Sequence, residues 1–368
     1  MKTKVAIIGT QGIPAHYGGF ETLAENLVLG KQHSEIEYTV FCSSRDLSTR
    51  MPEMNGAQLK YLPLKSNGKQ SIVYDILSML RSIRGYDTLL ILGVSGCIFI
   101  PILKLLTRAR IVVNIDGLEH RRQKWGRFAK WFLWHSEQMA AQHADVVIAD
   151  NQGIKDYVIS MYGKTPELIA YGGNHAVCEV NEEEQQRILN DYGLKSRFFA
   201  LAVCRIEPEN NLEMVLEAFA QSGRQFALIG NFSDKEFSTM LKNKYGRLPN
   251  IHLFDACYDA KILYTLHRNA RCYVHGHSAG GTNPSLVEAM FFEDCPILAY
   301  DVVYNRATTF GKASYFANVD ELIALLEKPL ADQPEICQLA KEHYSWKSIV
   351  NKYEKILIKN QENEKVNH

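Results

Sequence analysis

The stretch HGHSAGGTNPSLVEAM, residues 275–290, follows the apolar run NARCYV and leads into a segment of helical character. It therefore predicts a strand, a loop and a helix start. Asn283 is suited to cap that helix, and Pro284 suits its first position, where a backbone N–H is expendable. The free amides of such a helix start attract anions, phosphate above all. The structural alternative is a tight turn at Gly280 and Gly281 that binds nothing.

Strands and helices alternate in the same way along the whole chain. The apolar runs are KVAIIG, EYTVFC, TLLILGV, RIVVNID and ADVVIAD in the first half, then FFALAVC, QFALIG, NIHLF, RCYVHG and CPILAY. Continuous apolar strands separated by helices predict parallel sheets covered on both faces. We therefore predict an α/β protein, and because 368 residues exceed what one core normally serves, we expect two domains. Its two doubly wound, Rossmann-like domains are expected to face each other across a cleft, with ligands at the carboxyl ends of the strands.

The pattern of strands restarts once, which sets the domain boundaries. We predict an N-terminal domain over residues 1–175 and a second Rossmann-like domain over residues 176–343, joined near Gly172 to Val180. Residues 344–368 contain the amphipathic segment YSWKSIVNKYEKILIKN. This segment is predicted to form a C-terminal helix that packs back on the N-terminal domain.

Composition excludes several classes of function. The 41 basic residues balance 41 acidic ones, so the field needed for nonspecific nucleic-acid binding is missing and no nucleic acid is expected as a partner. The eight cysteines include no C-x-x-C pair, which is typical of reduced cysteines in a cytoplasmic protein. The N-terminal apolar run is too short for a signal peptide. The apolar stretch over residues 89–106 is interrupted by Gly93, Gly96 and Pro101, so it predicts a buried strand, a turn and a short helix rather than a membrane span.

The first strand runs into GTQGIPAHYGGFETLAENL, which carries several glycines. A nicotinamide fingerprint needs G-x-G-x-x-G, but Gly9 is followed by Gly12 and Pro14, so the spacing fails. Gly18 and Gly19 precede the helical segment FETLAENLV. They offer a second helix end suited to anions and facing the same cleft, and a flexible loop is the alternative interpretation.

A single arginine follows the first strand of the second domain. Arg205 comes directly after FFALAVC, so its guanidinium is expected at the cleft, where a planar array of donors suits phosphate oxygens. A solvated loop charge is the alternative. The glycine-rich helix start in the same domain favours the phosphate interpretation.

These features together resemble the retaining glycosyltransferases of family 4, which have the two-domain GT-B architecture. The resemblance covers essentially the whole chain and lies in the order of GTQGIPAHYGGFET, Arg205, GGTNPSLVEAM and YSWKSIVNKYEKI. Within that family, the motifs GTQGIPAHYGGFET, NIDGLEHRRQKW and HGHSAGGTNPSLVEAM look especially like those of bacterial rhamnosyltransferases of capsule, O-antigen and cell-wall polysaccharide assembly.

The resemblance implies a role for each matching position in the second domain. Glu288 would accept hydrogen bonds from the ribose of a nucleotide-sugar donor. Gly281, Thr282 and Asn283 would contact the diphosphate or the donor sugar. Arg205 would stabilise the departing diphosphate, which makes it a candidate catalytic residue.

Further donor contacts are implied, and the sequence departs from the family at two of them. Gly18 and Gly19 would approach the donor from the other domain. Asn210 stands where the family often has a lysine, and Gly280 stands where it often has a glutamate. Both positions, with His277, are included among the candidate donor-binding residues. His275 or His277 is expected to compensate for the missing cation, unless these histidines are structural.

The chemistry that the resemblance implies makes modest demands on the protein. Transfer with retention proceeds on one face of the sugar, with the leaving phosphate oxygen taking the proton of the acceptor. Such a reaction needs mainly positioning and electrostatic stabilisation. The sequence contains no D-x-D motif, so a metal-bridged diphosphate is not indicated and no metal or other cofactor is expected.

The segment IDGLEHRRQKWGRFAKWFLWHSEQ is the candidate acceptor region. Asp116 follows a strand, so Asp116 and Glu119 are candidates to orient the acceptor hydroxyl, with a cap or a surface salt bridge as alternatives. Basic and aromatic side chains then interleave, namely Arg121, Arg122, Lys124, Trp125, Arg127, Phe128, Lys130, Trp131, Phe132 and Trp134. This combination of side chains is typical of a helix that lies on the surface of an anionic membrane, or of a site that binds a lipid diphosphate. The alternative is an ordinary helix with its aromatic face in the core.

The sequence thus predicts a glycosyltransferase that moves L-rhamnose from dTDP-L-rhamnose onto a lipid-linked saccharide. The expected location is the cytoplasm, with peripheral contact at the inner membrane face through residues 121–134. Three alternatives stay open: a transferase of the same family that uses another UDP- or GDP-sugar, a nicotinamide-dependent oxidoreductase, and a noncatalytic sugar-nucleotide-binding protein.

Overall fold

A computed structural model describes residues 2–15, 18–47, 49–121, 125–233 and 236–358. The chain divides into two compact units. The N-terminal unit comprises the described residues up to Tyr171 together with those from Trp346 onward, and the C-terminal unit comprises Gly172–Ser345. Short 3₁₀ turns connect several elements and lie at Gly68–Gln70, Cys97–Phe99, Glu119–Arg121, Asn174–Ala176 and Pro208–Asn210.

The N-terminal unit is built on a sheet with the order β3-β4-β2-β1-β5-β6-β7-β8, parallel except for the pair β3–β4. Its strands are β1 Thr3–Ile8, β2 Ile36–Ser43, β3 Glu53–Met54, β4 Ala57–Leu62, β5 Thr88–Leu92, β6 Arg110–Asn114, β7 Val146–Ala149 and β8 Glu167–Leu168. The central strand β5 is buried at every position. Uninterrupted burial of this kind is what a parallel strand with helices on both faces requires.

Helices cover both faces of this sheet. They are α1 Gly19–Leu29, α2 Ser71–Arg81, α3 Ile100–Leu106, α4 Arg127–His143, α5 Gln152–Tyr162 and α14 Trp346–Leu357. The strand order runs one way from β1 to β2 and the other way from β5 to β8, so right-handed crossovers place α1 on one face and α2 to α5 on the other.

The last helix of the described residues, α14, completes the core beside α1. The side chains of Trp346, Ile349, Val350, Tyr353 and Leu357 recur at helical spacing and lie in one cluster with residues of α1 and β1. A fully buried carboxylate secures the contact, since Glu354 accepts hydrogen bonds from the amides of Gln32 at 3.1 Å and His33 at 3.0 Å. The helix that ends the described chain thus belongs to the unit that begins it.

The C-terminal unit has a fully parallel sheet with the order β11-β10-β9-β12-β13-β14. Its strands are β9 Phe199–Val203, β10 Gln225–Ile229, β11 Ile251–Phe254, β12 Cys272–His275, β13 Ile297–Tyr300 and β14 Ser314–Phe316. Its helices are α6 Glu182–Asp191, α7 Leu212–Ser222, α8 Glu236–Tyr245, α9 Ala260–Asn269, α10 Pro284–Ala289, α11 Val303–Thr308, α12 Val319–Glu327 and α13 Pro334–His343. Phe219 and Phe226 stack at 4.2 Å between ring centroids in its core.

The predicted fold class of two doubly wound parallel sheets is confirmed, and each apolar run quoted above contains a strand. The hairpin β3–β4 was not predicted. It is joined by Asn55 and Gly56, both at positive φ, and β4 alternates between buried and exposed positions at its start, as a strand with one solvent-facing side does. All eight cysteines are free thiols. Within the described ranges, no helix combines the length and apolar character that crossing a bilayer requires.

Candidate functional site

The strand order of the C-terminal unit reverses between β9 and β12. From β9 the chain proceeds outward to β10 and β11, then crosses back to place β12 on the other side of β9. Ligands of doubly wound sheets bind in the crevice outside the carboxyl ends of the strands at such a switch point. Two segments emerge there, the turn 204–211 after β9 and the loop 276–283 after β12.

These two segments are clamped together by hydrogen bonds. The amide of Ser278 donates to the carbonyl of Glu209 at 2.8 Å, and Asn211 Nδ2 donates to the carbonyl of Gly276 at 2.8 Å. A Cβ on Gly276 would lie 2.1 Å from the carbonyl oxygen of Asn210, so only glycine permits this approach. The glycine is therefore explained by the close packing of two backbones, which joins the segments that follow β9 and β12.

Asn210 is part of this clamp. Its side chain is buried, with Nδ2 donating to the carbonyl of Arg205 at 2.7 Å and Oδ1 lying 2.9 Å from His277 Nδ1. Because the amide oxygen accepts, the geometry assigns the proton of His277 to Nδ1. Asn210 and His277 thus hold the turn that carries Arg205, a contact that could not be read from the sequence.

Arg205 itself lies directly beyond the end of β9, as predicted. Its side chain is exposed, and no ion pair ties its guanidinium to another of the described residues. A free guanidinium at a switch point has its five donors available for an anionic ligand.

The loop after β12 ends in the predicted cap. Asn283 accepts a hydrogen bond from the amide of Ser285 at 3.1 Å, and Pro284 occupies the first helical position, so both predictions are confirmed. Gly281 has a φ of 94°, a conformation that glycine adopts without strain, and Thr282 is buried beside it. Because α10 is short, its dipole is weak, and the capacity of this edge to hold an anion depends more on Arg205.

Glu288 lies one turn after the cap and contacts a residue far away in the sequence. Its Oε1 lies 3.2 Å from His175 Nε2, and both side chains are partly exposed. The contact is made possible by Gly173, where a Cβ would lie 2.8 Å from a side-chain carbon of Val287. His175 is a candidate positioning residue that was not predicted, and no local pattern in the sequence connects it to Glu288.

His275 does not supply the missing cation. Burial in the core lowers the pKa of His275 to about 3, so its ring is neutral at physiological pH. The idea that His275 compensates electrostatically for Asn210 is therefore wrong. Its Nε2 is buried and has no hydrogen-bond partner among the described residues.

The N-terminal unit has a switch point of its own, between β1 and β5. The loop between β1 and α1 emerges there and ends at Gly18 and Gly19, where α1 begins. His16 and Tyr17, which belong to the quoted motif, lie outside the described residues. Glu21 organises the loop, because its buried carboxylate accepts from the amide of Gln11 at 2.7 Å and from Thr10 Oγ1 at 3.0 Å. Burial raises the pKa of Glu21 above its ordinary value, despite these donors.

We expect Gly18→Ala to destabilise the N-terminal unit. Gly18 has a φ of 119°, and a Cβ there would lie 1.9 Å from Glu21 Oε2, so the substitution strains the backbone and displaces the buried carboxylate. Such strain costs about 2 kcal/mol, which lowers the melting temperature by about 5 °C in calorimetry. Gly85→Ala is the matched control, because Gly85 has a φ of 88° and open space around it. Equal losses in the two variants would show that Glu21 does not constrain Gly18.

Asp116 and Glu119 follow β6 in the N-terminal unit. Asp116 has a φ of 54°, its amide donates to Asn114 Oδ1 at 2.9 Å, and its Oδ1 accepts from the Tyr171 hydroxyl at 3.3 Å. Glu119 Oε1 accepts from Trp125 Nε1 at 2.9 Å, which ties the carboxylate to the start of the next segment. Asp116 thus lies at the carboxyl edge of the same sheet as Gly18, whereas Glu119 lies in a 3₁₀ turn beyond it.

A buried network behind these residues was not predicted. Glu137 is buried, its Oε2 lies 3.0 Å from His120 Nδ1, and its Oε1 accepts from the Tyr162 hydroxyl at 2.8 Å. The guanidinium of Arg121 lies 4.9 Å from the ring centroid of Tyr157. This network fixes the 3₁₀ turn that carries Glu119 onto α4 and α5.

The aromatic segment does not put its rings into the core. The residues of α4 that are buried are Leu133, Ser136, Glu137, Ala140 and Ala141. Phe128 and Trp131 are exposed, so the interpretation of an ordinary helix with its aromatic face in the core is wrong for both. Arg122 and Lys124, which belong to the basic set, lie outside the described residues.

Comparison with known proteins gives one partial family match. A family model described as a "Domain of unknown function (DUF1972)" matches residues 2–174, most of the N-terminal unit. No curated protein matches the sequence.

Solved structures match over nearly the full length of both chains. A sucrose-phosphate synthase from Thermosynechococcus elongatus has a TM-score of 0.78 at 15% identity, with 96% of this chain and 98% of that chain covered. HepE from Anabaena in complex with UDP-glucose has a TM-score of 0.75 at 13% identity, with 96% and 99% covered. The trehalose-6-phosphate synthase OtsA has a TM-score of 0.70 at 12% identity, with 97% and 99% covered. The protein therefore has the GT-B fold, the fold of these sugar-transferring enzymes.

Proposed function

We propose that the protein is a retaining glycosyltransferase of family 4 that transfers L-rhamnose from dTDP-L-rhamnose onto a lipid-linked saccharide during cell-surface polysaccharide synthesis. The observation that carries this proposal is the switch point of the C-terminal unit. There, Arg205, whose guanidinium forms no ion pair with another described residue, and a glycine-rich loop lie at the carboxyl ends of neighbouring strands, with a carboxylate on the helix that follows.

Each group at the crevice matches one part of a nucleotide sugar. The carboxylate of Glu288 suits the free hydroxyl of the nucleoside sugar, which is the 3′-hydroxyl in dTDP-rhamnose, because an ionised carboxylate accepts strong hydrogen bonds. The diphosphate is proposed to accept hydrogen bonds from the guanidinium of Arg205 and from backbone amides of Gly280, Gly281, Thr282 and Asn283. Asn210 and His277 act indirectly, by holding the turn that follows Arg205.

The reaction needs little else from the protein. The bond between the anomeric carbon and the diphosphate oxygen breaks, and a bond to the acceptor oxygen forms on the same face of the sugar. The acceptor proton passes to the leaving phosphate oxygen, and Arg205 stabilises the negative charge that develops there. Asp116 and Glu119 orient the acceptor, and Gly18 and Gly19 provide further substrate contacts. No metal is required in this scheme, which EDTA treatment of an active preparation tests directly.

A second candidate donor is a UDP- or GDP-linked sugar. The structure of HepE was obtained with UDP-glucose, which supports this alternative for a chain of the same fold. The two kinds of donor differ in the base, in the transferred sugar and in the 2′-hydroxyl, which dTDP lacks. Arg205 and Glu288 are proposed to bind the two groups that all these donors share, the diphosphate and the 3′-hydroxyl.

A thermal-shift screen against dTDP-rhamnose, UDP-glucose, GDP-mannose and NADH tests the proposal. At a hundredfold excess over its dissociation constant, a donor stabilises the folded state by about 2.7 kcal/mol, which raises the melting temperature by roughly 5–10 °C. We expect this shift with dTDP-rhamnose and expect Arg205→Ala to abolish most of it. Arg224→Ala is the control, because Arg224 is an exposed arginine of the same unit that precedes β10 instead of following a strand.

Each other result of the screen selects an alternative. A shift with UDP-glucose or GDP-mannose alone keeps the class and replaces rhamnose. A shift with NADH alone indicates an oxidoreductase. A donor that binds tightly but is never turned over with any saccharide acceptor indicates a noncatalytic sugar-nucleotide-binding protein.

The proposed acceptor places the enzyme at the cytoplasmic face of a membrane. A lipid-linked saccharide presents its sugar at the bilayer surface, so the enzyme has to work there as a peripheral protein. The basic and aromatic segment over residues 121–134 is the proposed contact.

A further inference from the structure

Helix α14 carries a tyrosine among its apolar core residues. Tyr353 is fully buried, and its neighbours on the same side of the helix, Ile349, Val350 and Leu357, are all apolar. A buried tyrosine brings a hydroxyl that has to find a polar partner. Here the partner is Asn114 at the end of β6, whose Nδ2 donates to the tyrosine hydroxyl at 2.7 Å. This bond connects the end of the described chain to the carboxyl edge of the N-terminal sheet.

Both ends of the Asn114 amide are engaged. Its side chain is buried, its Nδ2 donates to Tyr353, and its Oδ1 accepts from the backbone N–H of Asp116 at 2.9 Å. Because a backbone N–H can only donate, the amide oxygen has to face Asp116 and Nδ2 has to face Tyr353. The amide therefore links the hydroxyl on α14 to the backbone of Asp116 in one fixed orientation.

The backbone of Asp116 depends on such support. Its φ of 54° lies in the left-handed region, which aspartate adopts more readily than most residues but which persists only where the surroundings enforce it. The hydroxyl of Tyr171, another buried tyrosine, donates to the carboxylate of Asp116 at 3.3 Å. Asn114 thus fixes the backbone of Asp116, and Tyr171 fixes its carboxylate.

Helix α14 itself is bound to the strand that carries Asn114. Arg110, the first residue of β6, donates from Nη1 to the carbonyl of Ile356 at 2.7 Å. Thr88, the first residue of β5, donates from Oγ1 to the carbonyl of Leu357 at 2.9 Å. The helix is therefore fastened along β6 from its first residue to its last, which determines where the Tyr353 hydroxyl lies.

The hydroxyl of Tyr353 remains protonated in this setting. Burial raises its pKa above the ordinary value, and the carboxylates of Asp150 and Asp116 add to the rise. The group that binds Asn114 is therefore a neutral phenol at physiological pH.

We propose that Tyr353 is a positioning residue for Asp116 and that it acts through Asn114. The hydroxyl on α14 orients the amide, the amide keeps the backbone of Asp116 in its left-handed conformation, and Asp116 then presents its carboxylate at the edge of the sheet. The inference rests on the proposed function for the part that Asp116 plays with the acceptor; the linkage is argued from the contacts alone. Helix α14 thereby becomes part of the acceptor site as well as of the core.

The first test observes Asp116 directly, by NMR of the full chain ¹³C-labelled at the side-chain carboxyls of aspartate. Asp116→Asn identifies the resonance. We expect Tyr353→Phe and, separately, Asn114→Leu to shift that resonance, because each substitution breaks the linkage. Tyr38→Phe is the matched control and should leave the resonance in place. Tyr38 is also a buried tyrosine whose hydroxyl contacts α14, in this case Glu354 at 3.4 Å.

The second test is transfer from the donor that the thermal-shift screen selects to a short-chain lipid-linked saccharide. A displaced positioning group lowers turnover rather than donor affinity, so we expect Tyr353→Phe to lower kcat about tenfold and to keep the donor Kd within about twofold. In the Asp116→Asn background, Tyr353→Phe should cause no further fall, because residues that act in series are not additive. Tyr38→Phe should keep the wild-type kcat.

Two results would overturn the positioning role of Tyr353. One is an Asp116 resonance that neither Tyr353→Phe nor Asn114→Leu shifts. The other is an equal loss of turnover from Tyr353→Phe with and without the carboxylate of Asp116, which would indicate a purely structural hydroxyl. Wild-type transfer by Asp116→Asn overturns the acceptor role in the proposed function instead, and a shifted resonance in Tyr353→Phe leaves the linkage standing.

Discussion

Replacing Glu288 with alanine is expected to weaken dTDP-rhamnose binding about 30-fold. The carboxylate is proposed to accept a hydrogen bond from the 3′-hydroxyl of the deoxyribose, and a bond to a charged group contributes roughly 1.5–3 kcal/mol, so losing it costs about 2 kcal/mol. Glu288→Gln keeps the shape and one acceptor oxygen, so we expect a loss of about tenfold. Titration calorimetry with the donor found in the thermal-shift screen measures both.

Two further variants make this result specific. His175→Ala removes the side chain whose Nε2 lies 3.2 Å from Glu288, so we expect an intermediate loss through a less well positioned carboxylate. Glu293→Ala removes an exposed carboxylate from the segment just after α10 and should bind as the wild type does. Wild-type affinity in Glu288→Ala would remove the ribose role from the proposal, whatever the donor is.

The second large effect is expected in the pH dependence of stability. His267 and His275 are both buried in the C-terminal unit, and burial lowers the pKa of each to about 3. In the unfolded chain a histidine has a pKa of about 6.5. The stability that each ring contributes is therefore fully present above pH 6.5 and is lost as the pH falls from 6.5 towards 3.

This loss is large enough to measure well above pH 3. Between pH 7 and pH 5, each histidine is expected to lower the free energy of unfolding of the C-terminal unit by about 2 kcal/mol, hence about 4 kcal/mol for both. The rings have no way to accommodate a charge, because His267 Nδ1 and His275 Nε2 are buried and lack hydrogen-bond partners among the described residues. Urea denaturation at the two pH values gives the difference directly.

His267→Phe is the variant that isolates one of the two contributions. His267 stacks on Phe292 at 4.8 Å between ring centroids, so phenylalanine preserves the packing and should remove about half of the pH-dependent loss. His343→Gln changes an exposed histidine of the same unit and should leave the pH dependence as it is. A pH dependence that His267→Phe does not reduce would show that the ring is not held neutral by burial.

The sequence predicted the parts of the fold that depend on local pattern. Central strands such as β5 are almost continuous runs of apolar residues, so they could be recognised without any knowledge of their neighbours. The strand β4 was missed because the exposed, polar Gln58 and Lys60 interrupt its apolar residues, although the Asn55-Gly56 pair that precedes it is a strong hairpin signal.

The candidate site was predicted where its residues follow a strand or cap a helix, as Arg205 and Asn283 do. It was missed where a contact joins distant segments. The pairing of Glu288 with His175 and the inward orientation of Asn210 depend on which strands become neighbours. Such contacts have no local pattern in the sequence, so only the strand order reveals them.

The docking of α14 has a consequence for the order in which the chain folds. The N-terminal unit is synthesised first, but Leu27 and Val28 of α1 belong to a cluster that α14 completes only after the whole C-terminal unit has been made. During translation, the part of α1 that α14 covers is therefore exposed until the last helix of the described chain has been made. The C-terminal unit has no such dependence, because it is one continuous segment. The two ends of this segment are joined by a hydrogen bond of 2.9 Å from the amide of Gly173 to the carbonyl of Tyr344. On the ribosome, the second unit to be made is thus the first that can finish folding.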